Sequence, residues 1–162
     1  MTTQTITLER TYDAATVEDV WELWTTKDGI ESWWGPEGFS VEVRAIDLRP
    51  GGELLYAMTA TDPAQVEFMK NAGMPLTQEV LMTFGEIEPP RRLVMQNLVD
   101  FVAGVEPYWV TAIVELEPAA GGSHLRILLD PMHDETWTER AVMGWESELG
   151  KLERLLAERV AS

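Results

Sequence analysis

Apolar side chains recur at helical spacing near the end of the chain. On a helical wheel Trp137, Ala141, Val142, Trp145, Leu149, Leu152, Leu155, Leu156 and Val160 share one face. Glu139, Arg140, Glu146, Lys151, Arg154 and Glu158 share the other, so the pattern predicts one amphipathic helix over 134–160. Pro131 breaks whatever precedes it, and Asp134 and Glu135 put negative charge where the helix dipole favours it. At a rise of about 1.5 Å per residue the stretch spans roughly 40 Å and must lie along something wide. Gly144 and Gly150 interrupt it, each at a cost on the order of 1 kcal/mol against alanine. Gly144 stands beside Trp145, where a glycine would let a neighbouring element come close.

Elsewhere the period is two. Residues 5–12 alternate, with Ile6, Leu8 and Tyr12 on one side and Thr7, Glu9 and Thr11 on the other. Arg10 falls on the apolar side and is expected to snorkel or pair with an acid near the strand end, with a ligand-facing cation as the alternative. Thr16 with Asp19 resembles a helix-capping pair, followed by a short helix carrying Val17, Val20, Trp21 and Trp24 that runs out in 25–29. Strands are predicted at 39–48 and 53–60 around the turn Arg49-Pro50-Gly51-Gly52, then at 77–88, 92–99, 108–117 and 123–130. Residues 61–76 break the rhythm: Asp62-Pro63 starts a helix, and Gly73 with Pro75 stops it. This reads as a helical insertion in a hairpin, either a lid or a dimer contact. Trp33 and Trp34 are adjacent, so they cannot share a helix face and are expected to meet different surroundings. Gly35-Pro36 after them is a strong break.

The sum is an α+β domain over 1–162, with a mostly antiparallel sheet of about seven strands and a long helix across one face. Several strands are apolar on both faces: Val80-Leu81-Met82, Leu93-Val94-Met95 and Ala112-Ile113-Val114. A sheet covered on one face alternates more cleanly, so a second subunit on the other face, making a homodimer, is a candidate arrangement.

Composition narrows the partners. Twelve basic residues against 28 acidic ones give a net charge of −16. Such a surface repels phosphates, so neither nucleic acid nor an anionic membrane is an expected partner. With no cysteine, disulfides and thiolate chemistry are excluded. The N-terminus carries no signal-peptide pattern and no stretch approaches a membrane span, so the cytoplasm is the expected compartment.

The residues then resemble a family. Arg10-Thr-Tyr-Asp-Ala14, Val20-Trp21 to Trp24, Trp33-Trp34-Gly35-Pro36, Asp47-Leu-Arg-Pro-Gly-Gly52, Glu88-Pro-Pro-Arg-Arg-Leu93 and the final Gly144-Trp145 with Leu149, Leu152 and Leu156 run along nearly the whole chain. Together they are similar to the helix-grip (START-like, SRPBCC) superfamily, in its branch related to the C-terminal domain of the activator of Hsp90 ATPase. The 61–76 insertion is longer than the usual loop there. The resemblance implies a curved sheet, two short helices after the first strand, and a cavity under the long helix. Candidate ligand-binding residues on those elements are Trp34, Phe39, Tyr56, Met58, Met82, Phe84, Met95, Trp109, Met143 and Trp145. Eight methionines and seven tryptophans suit an adaptable apolar cavity, although the same side chains could instead fill it. Met143 lies opposite the apolar stripe and is the weakest of the ten.

No metal site or cofactor is expected. The only histidines are His124 and His133, and no phosphate loop or nucleophile motif occurs. His133-Asp134-Glu135 reads as a helix start. An acid/base role in the cavity could fall to Arg10, Glu42, Asp47, Glu79 or Asn97, and no residue earns a catalytic assignment. Three functions stay open: a binder of a small hydrophobic or amphipathic ligand, a co-chaperone-like or regulatory domain acting on a chaperone or another protein, and a cyclase- or hydrolase-type enzyme.

Overall fold

A computed structural model describes residues 5–35, 37–100 and 102–161, so Pro36 of the Trp-Trp-Gly-Pro run lies outside the described residues. The chain begins with β1 (Ile6–Asp13), α1 (Val17–Thr25) and α2 (Lys27–Trp33). It continues through β2 (Phe39–Ile46), β3 (Glu53–Ala60), α3 (Pro63–Asn71), β4 (Thr77–Glu88) and β5 (Arg92–Val99). It ends with β6 (Tyr108–Ala119), β7 (Gly122–Leu129) and α4 (Glu135–Ala161). The strands form one antiparallel sheet in the order β1-β7-β6-β5-β4-β3-β2. Sequential hairpins build most of it, and β1 adds beside the last strand. The α1–α2 pair carries the chain from one edge strand to the other. The protein therefore has the α+β helix-grip fold, a curved sheet with a long C-terminal helix.

Local chemistry sets the helix starts. Thr16 accepts the Asp19 amide at 3.0 Å while the Asp19 carboxylate accepts the Thr16 amide at 3.1 Å, a closed capping box. The short helix does not run out over 25–29 as its pattern suggested. Thr26 ends α1 and caps α2, accepting the Gly29 amide at 3.0 Å, so helix resumes at once. Gly29, at the end of that stretch, lies inside α2 for a steric reason: a Cβ there would lie 2.5 Å from the Glu22 carbonyl oxygen. Asp134 accepts the Trp137 amide at 2.8 Å and opens α4.

Register shifts between Val43 and Ala45 on β2, and between Phe84 and Ile87 on β4, are the irregularities that bend a sheet. The inner face carries Leu54, Tyr56, Met82, Phe84, Leu93, Met95, Val114, Leu125 and Ile127, all buried. Leu149, Leu152 and Leu156 of α4 close on the same core. On the outer face Leu55 stands opposite Leu81, and Ile113 stands between Val94 and Leu128. These side chains are half-buried by one another, which accounts for strands apolar on both faces.

The 61–76 insertion contains α3, capped by Asp62 and started by Pro63 as read. Thr61 and Asp62 amides donate to the Gly38 carbonyl at 2.8 and 3.1 Å, which fastens it beside the start of β2. Met69 is buried, while Phe68 and Met74 are exposed.

Candidate ligand cavity

The two halves of α4 meet the sheet differently. Beyond Leu149 the helix is seated on the core, whereas Thr138, Ala141, Val142, Gly144, Trp145 and Glu148 border open space between helix and sheet. The space between is a cavity of about 630 Å³, bounded by the inner sheet from β3 to β7 and by Trp34. Gly144 is on its wall, and a Cβ there would meet nothing within 4 Å. The close approach expected at Gly144 is thus replaced by open space.

Aromatic packing fixes one end. Trp24, Trp33 and Trp34 meet edge to face, with centroids 4.8 Å apart for Trp24–Trp33 and 5.0 Å for Trp33–Trp34. Trp145 stacks near Trp24, and Tyr56 meets Trp34 at 6.2 Å. Such rings bury on the order of 150–250 Å² each, so this cluster anchors α1, α2, α4 and β3 together. The adjacent tryptophans do differ in surroundings: the Trp33 indole N–H donates to the Leu23 carbonyl at 2.8 Å inside the core, whereas Trp34 lines the cavity.

Four side chains of α4 reach the segment after Trp34. Glu148 Oε1 accepts the Gly35 amide at 2.8 Å, and Ser147 Oγ accepts the Glu37 amide at 3.0 Å. Lys151 Nζ donates to the Gly35 carbonyl at 3.0 Å and to that of Trp34 at 3.4 Å. Arg154 pairs with Glu37. A segment that read as a strong break is therefore stitched to the long helix.

Glu148 is the polar exception in this end of the cavity. Burial pushes its carboxyl up to about 7, against the Gly35 amide and the Lys151 ammonium, which both favour the charged form. The surface it retains belongs to the wall it lines. Burial also raises the Tyr56 phenol, and the nearby Glu148 carboxylate adds to the rise. Burial lowers Lys151, against the opposing pull of Glu148. At the other end the lining residues Asp100 and Asp130 are exposed and mark a mouth.

Of the ten candidates, Trp34, Tyr56, Met58, Met82 and Trp145 line the cavity. Phe84 and Met95 point inward but belong to the closed core, and Phe39 is half-buried at the start of β2, away from the lining. Trp109 and Met143 are 44% and 70% exposed, on the outer face of β6 and the solvent side of α4. Their strand and wheel phases are the reason. Among the polar candidates Asn97 lines the cavity, and Glu79 borders it with its carboxylate turned to the outer sheet face and paired with Arg44. Arg10 pairs with Glu146, Glu42 with Arg44 and Asp47 with Arg49, all outside it. His133 accepts or donates to the Tyr108 hydroxyl at 2.6 Å beside the start of α4. No residue of 61–76 lines the cavity, so α3 is not a lid over it. Sequence reasoning missed Glu148, although the i, i+3, i+4, i+7 series Trp145, Glu148, Leu149, Leu152 places it on the apolar stripe.

Proteins of known structure share this fold. A Chromobacterium violaceum protein of known structure is 25% identical, with a TM-score of 0.74 over 94% of this chain and 96% of its own. A Nitrosomonas europaea protein is 26% identical, with a TM-score of 0.70 over 96% and 95%. The AHSA1 protein of Silicibacter pomeroyi is 21% identical, with a TM-score of 0.73 over 96% and 99%, and shares the fold. No curated protein matches the chain. A family profile described as "Activator of Hsp90 ATPase homolog 1-like protein" matches residues 14–157. With that match spanning most of its length, the chain belongs to the activator of Hsp90 ATPase homolog 1-like family, within the START-like (SRPBCC) fold.

Proposed function

We propose that the protein binds a small hydrophobic or amphipathic ligand between the sheet and α4. The observation that carries this reading is the cavity itself. Its volume of about 630 Å³ falls within the roughly 300–1,000 Å³ of small-molecule sites. Trp34, Tyr56, Met58, Met82 and Trp145 supply an apolar, adaptable wall, and Glu148 supplies one polar group. Trp34 and Trp145 also report occupancy, because a ligand on the wall changes their emission. Native mass spectrometry of freshly purified protein, with titration of an environment-sensitive hydrophobic dye, tests the reading. A retained small molecule, or saturable dye binding that quenches tryptophan, is expected. Gly144→Leu, which projects a side chain into the open space, is expected to weaken that binding at least tenfold. A protein that takes up nothing from a lipid and aromatic library sinks the proposal.

The family description favours a second reading, a regulatory domain that acts on a chaperone ATPase. Its test is co-purification with such an ATPase and a change in ATP turnover on addition of this chain. An enzymatic reading has narrower support, the approach of Glu148 to Tyr56 at the inner end of the cavity.

A further inference from the structure

The charged groups of the cavity are all of one sign. Glu148 lines its inner end and Asp100 and Asp130 its mouth, while the Glu79 carboxylate is turned to the outer sheet face and paired with Arg44. Among the described residues no lysine, arginine or histidine lines it. The nearest cation, Lys151, is spent on the Trp34 and Gly35 carbonyls at 3.4 and 3.0 Å and stays out of the lining. One of the mouth carboxylates is also partly engaged: Asp130 accepts the Thr111 amide at 3.0 Å. Glu148 differs from them in being half-buried in the wall rather than exposed. Oε1 accepts the Gly35 amide, and Oε2 has no hydrogen bond among the described residues.

Resting on the cavity reading above, we propose that the ligand is an amphiphile with a protonated-amine head, held by Glu148 at the inner end with its apolar body along Met58, Met82 and Trp145. A cationic head gains a carboxylate partner that offsets its desolvation. A carboxylate or phosphate head would find no cation on the wall and neutral donors such as Asn97 at best, and a mouth of one sign concentrates cations before they enter. A neutral hydroxyl head gains a hydrogen bond without the charge.

Glu148 makes the preference depend on pH. The groups that face it are Lys151 on its own helix, the Tyr56 phenol from β3 and the Gly35 amide from the segment after α2. Its carboxyl is protonated below about 7 and charged above it. An alkylammonium, with an ordinary value near 10.4, keeps its charge throughout that range. Amine binding therefore strengthens as pH rises, by about tenfold between pH 6 and pH 8, as the ionised fraction of one carboxyl grows.

The test is isothermal titration of the intact chain with decylamine, 1-decanol and decanoate, which share one tail, at pH 6 and pH 8. Decylamine is expected to bind tightest and decanoate weakest at pH 8, with the amine-to-alcohol ratio rising about tenfold from pH 6. In Glu148→Gln that ratio is expected to lose its pH dependence. Decanoate binding as tightly as decylamine, or a ratio flat with pH in the wild-type chain, overturns the proposal and leaves the cavity reading standing. Failure of all three to bind overturns both. The wild-type pH comparison decides the matter even if the Gln variant does not fold.

Discussion

At the residue scale Gly144 carries the most information. A glycine inside a helix loses more backbone freedom on folding than any other residue, and here no neighbour demands its small size. Alanine at this position would meet only open space, so Gly144→Ala is expected to stabilise the fold by about 0.5–1 kcal/mol. Urea unfolding of the two proteins at equal concentration checks the sign, and a destabilised Ala variant would mean the cavity closes on that position. The glycine itself was legible in the sequence as an anomaly. Its meaning was not, because a crowded glycine and one facing a void look alike until the opposing wall is known. Glu148 was less visible still. It lies on the apolar stripe between Trp145 and Leu152, but polar residues dominate its immediate neighbours in sequence. Trp109 and Met143 failed for the opposite reason, since size and softness do not decide which way a side chain points.

At the scale of elements, the long helix was read to within a residue of its ends, because its period and its Asp134 cap are local properties. The strands were legible for the same reason. The segment after Trp34 was not, since what holds it comes from residues more than a hundred positions away. Glu148, half-buried at the cavity wall, is one of those ties, and it gives the element contact a pH signature. Its folded value of about 7 lies above the ordinary 4.5, so the folded chain keeps a proton that the unfolded chain releases between those values. This contribution to stability is complete below about 4.5 and is lost as pH rises through about 7. At about 1.4 kcal/mol per unit the loss has an upper bound of about 3–4 kcal/mol, and part of it is shared with Lys151. Glu148→Gln keeps an oxygen for the Gly35 amide and carries no proton to lose. It is therefore expected to match the wild type at pH 4.5 and to exceed it by about 1–3 kcal/mol at pH 8. Denaturant unfolding at the two pH values measures this. Equal wild-type and variant stabilities at pH 8 would show that the carboxyl is solvated rather than buried.

At the scale of the molecule the dominant fact is the charge of −16. Composition alone displayed it, yet its consequences depend on where the few cations sit. Arg92 and Arg126 both reach Glu115, at 2.8 Å each, and Arg44 bridges Glu42 and Glu79, so several basic residues are spent locally on the outer sheet face. The remaining acids repel one another over the surface, and that repulsion is stronger in the compact state than in the unfolded chain. Salt acts on the two terms in opposite directions. It weakens exposed ion pairs, each worth about 0–1 kcal/mol, and it screens the long-range repulsion, whose reach contracts from about 30 Å at 0.01 M to about 10 Å at 0.1 M. With 16 uncompensated negative charges the second term is the larger. Sodium chloride at 0.3 M against 0.01 M is thus expected to stabilise the protein by about 1 kcal/mol, a rise of about 2–4 °C in Tm for a chain of this size. Chloride is the anion to use, because sulfate strengthens apolar burial by itself and would blur the comparison. A Tm that falls with chloride would give the local pairs around Glu115 and Arg44 more weight than the net charge. It would also remove the long-range field from the attraction of cations to the cavity mouth, leaving that to the carboxylates on the wall.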